Sequence, residues 1–360
     1  MTPKVRNYLS VLLLSICVVV QNSYSLDAQD NQAQDISLIT IDNAAQLNEI
    51  DRWSTDGGAI NQIVWSSTQD MLAIGHNSIT LYNVSTKQSQ DLPIDLDFPS
   101  IVVDLDFSPT EDNLAFVDSR RLYIWDTLTQ EVISAENRYA NTVVYNPDGT
   151  VIATGTGDAK IYLWDAATLT NMTEFAVEQP NGVSDLVFSP DSHWLLATHV
   201  GYYPSLWDFS LLLTSENIAT PREILDIGTE IVNQAAFSPD GQTLILSTMS
   251  SVDETTLETS VLESTSPNEV RFAREGEPIE LAYDVQALTY NLDGTLFVAG
   301  DDSGTVYLFD AQTRELLHTI QITDANAESQ SAIQSVRFNA NGTILAVSTR
   351  AGEVSFWGVK

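Results

Sequence analysis

Few kinds of side chain here could do chemistry. The chain of 360 residues has four histidines, one cysteine and 49 Asp plus Glu against 15 Lys plus Arg. A metal centre or a hydrolytic dyad needs two or more of the scarce groups at a spacing that unites them. His76, His193, His199 and His318 show none, and His193 and His199 flank one apolar run whose length as a strand would hold them at opposite ends. No Gly-rich phosphate loop and no Gly-x-Ser-x-Gly elbow is present. Carboxylates are so common that any one pair is poor evidence. Asp104 and Asp106 alternate with Val103, Leu105 and Phe107, and Asp185 occupies the position equivalent to Asp104. Such groups bind calcium where several oxygens converge, or they accept hydrogen bonds from neighbouring strands and face water, which is the plainer reading.

The elements that position these groups repeat. An aromatic landmark, usually followed by Ser-Pro-Asp-Gly or a variant, recurs at Trp65, Phe107, Tyr145, Phe188, Phe237, Tyr290 and Phe338, at intervals of 38 to 53 residues. A four-stranded propeller blade takes about 40–45 residues. The positions two and five before each landmark are apolar throughout, from Ile63 and Ile60 to Val336 and Ile333. Period two joins the landmark and the minus-two position on one strand face, and the minus-five position then requires a bulge near the strand's start. Turn residues such as Asn146-Pro147-Asp148-Gly149 lead to a second strand, and third strands close on an aromatic, as in Ile161-Tyr162-Leu163-Trp164-Asp165. The pattern predicts an all-β fold: a seven-bladed β-propeller of four antiparallel strands per blade over residues 36–360. The last unit stops after its third strand, so Leu47 to Trp53 is expected to close the ring as its fourth. The fifth unit is irregular; Ser264 to Glu269 is expected to turn between its third and fourth strands, and the plain reading of its Ser-, Thr- and Glu-rich stretch is an enlarged loop.

Trp125-Asp126, Trp164-Asp165 and Trp207-Asp208, with the variant Phe309-Asp310 and the turn Gly300-Asp301-Asp302-Ser303-Gly304, resemble the Trp-Asp (WD) repeat family of β-propellers. The resemblance covers about residues 36 to 360. Tyr82-Asn83 and Trp357-Gly358 match less well, the fifth unit lacks the dipeptide, and the Gly-His pair that often opens a family repeat is absent. The family's buried His-to-Asp network is therefore expected to be missing or rebuilt.

One column is uniform in its chemistry. Four residues before each landmark stand Asn61, Val103, Asn141, Ser184, Asn233, Gln286 and Gln334. Around a central channel they would ring one mouth, where amides could hold a neutral polar ligand or a peptide backbone; alternatively they satisfy strand-end backbone groups. The loops between second and third strands belong on the same face, bringing Arg120, Arg121, Lys160, His199, Tyr202, Tyr203 and Asp301 to the amide ring. Tyr and Arg are the types in which binding energy concentrates, and Tyr202-Tyr203-Pro204 is the preferred anchor.

Residues 1–25 differ from the rest. Lys4 and Arg6 precede an apolar run from Leu9 to Val20 and the triplet Ser23-Tyr24-Ser25, the order of a secretory signal peptide. Twelve residues rising ~1.5 Å each cannot cross a ~30 Å hydrocarbon core, so cleavage after Ser25 and no membrane span thereafter are expected. Residues 26–35 read as a flexible linker. The expected location is secreted or cell-envelope. The formal charge of −34 disfavours nucleic acid and anionic membranes. The expectation is a monomeric, non-catalytic scaffold for a protein or peptide, with no cofactor and no metal. The rival is a lactonase-like propeller hydrolase with a metal in its channel, since fold does not decide function.

Overall fold

The computed structural model describes residues 36–55, 58–92, 101–177, 181–199, 201–213, 231–249, 255–266, 269–322 and 332–360. The expected signal peptide and linker lie outside these residues. Apart from a 3-10 turn at Ala44–Gln46 and one helical turn at Phe209–Leu212, the described elements are strands. None of the described helices is long and apolar enough to cross a membrane.

Seven antiparallel sheets follow one another, and the first strand of each is innermost: Gln62–Trp65, Asp104–Phe107, Ala140–Tyr145, Val183–Phe188, Ile231–Phe237, Val285–Tyr290 and Ile333–Phe338. Each of these packs on the next, and the seventh packs on the first, closing a seven-bladed propeller. Five blades show four strands. In blade 4 the described strands end with Tyr202–Asp208, and the segment that would hold its outer strand lies outside the described residues. In blade 5 the third strand, Thr255–Ser266, pairs with Glu269–Arg274; Ser264 to Ser266 and Glu269 of the expected turn belong to these strands, Pro267 and Asn268 lie outside the described residues, and Ile279–Leu281 pairs with the third strand's other end.

The core lies between blades. Each interface among the described residues has its own buried cluster, built mainly from the minus-two, minus-five and landmark positions. Val183, Leu186 and Phe188 meet Val151, Ala153 and Leu163 between blades 3 and 4. The expected bulge occurs in five blades, where pairing jumps from Ala140 to Thr142, Val183 to Asp185, Val232 to Gln234, Val285 to Ala287 and Ile333 to Ser335. The extra residue turns the minus-five side chain back into the interface. Second-strand glycines permit the approach: a Cβ on Gly155 would stand 2.4 Å from Val183 Cγ1, and one on Gly300 would stand 2.5 Å from Ile333 Cγ2.

The Trp-Asp pairs do two jobs. Trp125, Trp164 and Trp207 are buried, while the adjoining aspartates organise the turn that follows, Asp126 accepting from the N–H groups of Leu128 and Thr129 at 2.8 and 3.0 Å. The His-to-Asp network is rebuilt with other groups. In blade 3, Trp164 Nε1 and Asn137 Nδ2 both donate to Thr154 Oγ1, at 3.0 and 2.6 Å. In blades 2 and 6 a third-strand tyrosine donates to the turn carboxylate instead, Tyr123 to Asp118 at 3.2 Å and Tyr307 to Asp301 at 3.0 Å.

Asn48–Ser54 pairs with Glu353–Gly358 and supplies the outer strand of blade 7, within one residue of the expected position. Ile39, Ala44 and Leu47 bury themselves between blades 6 and 7, and Arg52 Nη1 reaches Glu353 at 2.8 Å. Removing residues 36–54 should abolish the cooperative thermal transition seen by circular dichroism; a truncated chain melting like the intact one would refute the closure. Gly300→Ala should cost ~1–3 kcal/mol by overpacking against Ile333. Gly157→Ala, whose nearest contact would be Asn141 Nδ2 at 3.5 Å, should change little, and urea midpoints measure both.

Candidate functional site

Because landmark and minus-two residues fill the interfaces, the alternate positions turn toward the axis. Minus-three residues Gln62, Asp104, Asp185 and Gln234 line the channel, as do minus-one residues Val64, Asp106, Val144, Val187, Ala236, Thr289 and Arg337. The channel has two halves. Where the innermost strands begin, a cavity of about 210 Å³ is lined almost wholly by polar side chains, among them Asn61, Asn141, Ser184, Gln286, Gln334 and Arg350. Toward the opposite mouth it widens to about 520 Å³ between Pro147, Pro190, Pro239 and Leu292.

The carboxamide column is therefore at a mouth, though partly in backbone service. Asn61 Nδ2 donates to the Val102 carbonyl at 2.7 Å and Asn141 Nδ2 to the Val183 carbonyl at 2.9 Å, each reaching the next blade. Gln286 and Gln334 line the same cavity. Asn233 is not among its lining residues; its amide lies 3.6 Å from Met249 Sδ.

The loop residues separate. His199 is corrected from a binding residue to a core one: it is 1% exposed, with Nδ1 3.1 Å from the Gly182 carbonyl and Nε2 3.0 Å from Ser205 Oγ. A carbonyl only accepts, so Nδ1 carries the proton and Nε2 takes the Ser205 hydroxyl's. Burial also lowers its pKa, which keeps the ring neutral. His193 lies across the strand, 3.8 Å from Asp208. Arg121 and Lys160 open third strands and reach outward, to Ser134 at 3.1 Å and Glu174 at 3.2 Å. Asp301 is buried and accepts from its own turn. Arg120 is exposed at the tip of blade 2's turn, Tyr202 pairs with His199, and Tyr203 is 41% exposed beside it. None of Arg120, Arg121, His199, Tyr202 and Tyr203 lines either cavity.

The channel's charged waist was not foreseen as a unit. Asp104 accepts from the Val143 N–H at 2.9 Å and Asp106 from the Tyr145 N–H at 2.8 Å, so blade 2 grips the backbone of blade 3. Asp185 accepts from Leu186 N–H at 2.8 Å and from Thr142 Oγ1 at 3.3 Å. Arg337, on the far side in blade 7, is the one Lys or Arg on the seven innermost strands, and its field acts on all three carboxylates. Reading the minus-one column would have found it. Among the described residues no three His, Cys, Asp or Glu side chains converge to hold a metal ion.

Enclosure, aggravated by neighbouring Asp104, pushes Asp106 up to about 7 and Asp185 up to about 6; burial also raises Asp104.

A ring of seven sheets joined by a terminal strand defines the class, a seven-bladed β-propeller. Residues 281–310, mostly blade 6, match the family described as "WD domain, G-beta repeat", and residues 40–205 match "Eukaryotic translation initiation factor eIF2A". "Small ribosomal subunit protein RACK1" of Drosophila melanogaster is 31% identical over 149 residues, 38% of this chain and 45% of that protein. "Periodic tryptophan protein 2" of Arabidopsis thaliana is 24% identical over 242 residues, 66% of this chain and 24% of that protein. "MST50-interacting protein 11" of Pyricularia oryzae is 28% identical over 148 residues, 38% of this chain and 45% of that protein. The match spans less than half the length of each relative. The repeats, the ring and these similarities support a kinship with WD-repeat propellers.

Unfolded aspartates ionise near ~4, so between about pH 4 and 7 the folded channel holds more protons than the unfolded chain, and stability should fall as pH rises through that window. Asp106→Asn keeps an acceptor for the Tyr145 N–H without the charge. It should raise the melting temperature at pH 8 and flatten the dependence between pH 5 and 8; an unchanged slope would dismiss the assignment.

Proposed function

We propose that the chain is an exported, non-catalytic scaffold that holds a protein or peptide partner on the face where its innermost strands begin. The observation that carries this reading is the set of exposed aromatics on that face: Tyr139 at 62%, Tyr203 at 41% and Tyr283 at 53%. Backbone bonds between entry loops and second-to-third-strand turns hold the face rigid, as from Tyr139 N–H to the Ser119 carbonyl at 3.0 Å and from Gly157 N–H to the Tyr139 carbonyl at 2.8 Å. A rigid tyrosine loses little entropy on binding, which is why such residues anchor interfaces.

The relatives' names point the same way, one to an interaction with MST50 and another to the small ribosomal subunit. The formal charge of −34 favours protein over nucleic acid as the surface met here. Arg337 supports the non-catalytic reading, because a fixed cation facing the three aspartates opposes the charge of a metal ion. Export rests on the basic, apolar and small-residue order of residues 1–25.

Expressed with its leader in a secreting host, the chain should appear outside the cytoplasm with Leu26 first, read by N-terminal sequencing. Replacing Tyr139, Tyr203 and Tyr283 together by Ala should weaken a cross-linked and identified partner about thirtyfold, the equivalent of ~2 kcal/mol, with the melting temperature unchanged. Equal affinity of the triple variant would reject this face.

A further inference from the structure

We propose that the wider half of the channel is a binding site for a small zwitterion with an apolar side chain, either an α-amino acid or a dipeptide. This site is separate from the tyrosine face and does not depend on the partner-binding reading.

The wall is the first argument. In blades 4 and 5 the channel-facing residue changes over one strand step from polar to apolar, Asp185 to Val187 and Gln234 to Ala236, and blade 3 contributes Val144 at the same level. Val144 and Val187 pack against the interface clusters but stay only partly buried there, so each keeps apolar surface toward the lumen. The apolar surface that remains in the wet lumen is stabilised further when an apolar group covers it. The space of about 520 Å³ lies within the ~300–1,000 Å³ of small-molecule sites.

The charges are the second argument. Where the lining changes character, Arg337 spends one nitrogen, Nη1, on the Val336 carbonyl at 3.0 Å. The bonds of Asp185 run to Oδ1, which leaves its second oxygen toward the lumen. A planar guanidinium takes a carboxylate through two parallel N–H donors, and carboxylates take an ammonium. A simple anion would meet Asp104, Asp106 and Asp185, and a simple cation would meet Arg337. A molecule carrying both charges satisfies the two sides at once, its side chain lying on Val144 and Val187.

Isothermal titration of the full mature chain at pH 7 with L-leucine, L-phenylalanine and Leu-Leu tests this. At least one should bind with a millimolar or tighter dissociation constant, and the tightest arm distinguishes amino acid from dipeptide. Leucinamide, without the carboxylate, and N-acetyl-leucine, without the ammonium, should each bind at least tenfold more weakly than leucine; if Leu-Leu alone binds, the correspondingly blocked dipeptides replace them. Arg337→Gln should lose binding while keeping a cooperative thermal transition, at a lower temperature because the carboxylates lose their counter-charge, and Asp185→Asn gives a second reading should the first variant fail to fold. No heat with any zwitterion, equal binding of the blocked forms, or full affinity in a folded variant would overturn the site.

Discussion

Each blade is stable only against its neighbour. The sheets are narrow, and the side chains that would form a private core in a sandwich are spent at interfaces, where second-strand glycines let an aliphatic residue of the next blade come close. Gly155 under Val183 and Gly300 under Ile333 are the clearest cases. A ring built so has no natural end, and any open interface would expose a full apolar face. Hence the segment carrying Ile39, Ala44 and Leu47, with the strand Asn48–Ser54, decides whether the other blades hold together. The described residues include no cysteine, so hydrogen bonds and burial do this work among them.

The same interfaces explain the polar substitutions. Innermost strands of adjacent blades do not share a continuous ladder, and side chains span the gap. Asp104 and Asp106 reach backbone N–H groups of blade 3, and Asn61 and Asn141 reach carbonyls of the following blade. These bonds charge the lumen as a by-product. Three enclosed carboxylates repel one another, and Arg337 offsets part of that repulsion from across the channel. Structure and site are thus made from the same groups, which is why the carboxylates could be read as either from sequence.

The fold was legible because its signals recur. A single Trp-Asp pair means little, but seven aromatic landmarks in register, each with apolar residues two and five before it, fix strand, face and bulge together. The closing strand followed from the need to complete the last unit. Much of the site was not legible. The carboxamide column was open to two readings, a ring of ligands or partners for strand-end backbone groups, because its face was undetermined; that Asn61 and Asn141 reach carbonyls of the next blade could not be told from the residues alone. His199 ends a second strand, a place that in an ordinary hairpin is exposed. Here the entry loop covers it, and the Gly182 carbonyl lies 17 residues before it in sequence with no local pattern announcing the contact. Arg121 and Lys160 show the converse: as first residues of third strands they follow the outer strand, away from the mouth.

Arg337 is the instructive omission. It stands one residue before a landmark, in a column that elsewhere holds Val64, Asp106, Val144, Val187, Ala236 and Thr289, so no uniform chemistry drew attention to it. Yet a buried or half-buried charge requires a reason, and the reason appears only when blades far apart in sequence are set around one axis. Asp106 and Arg337 are separated by most of the chain and meet because seven repeats close on themselves. Uniform columns in a propeller report what every blade needs. The position that breaks its column, once the alternation has been used to decide which columns face the axis, is where this chain departs from being seven copies of one unit.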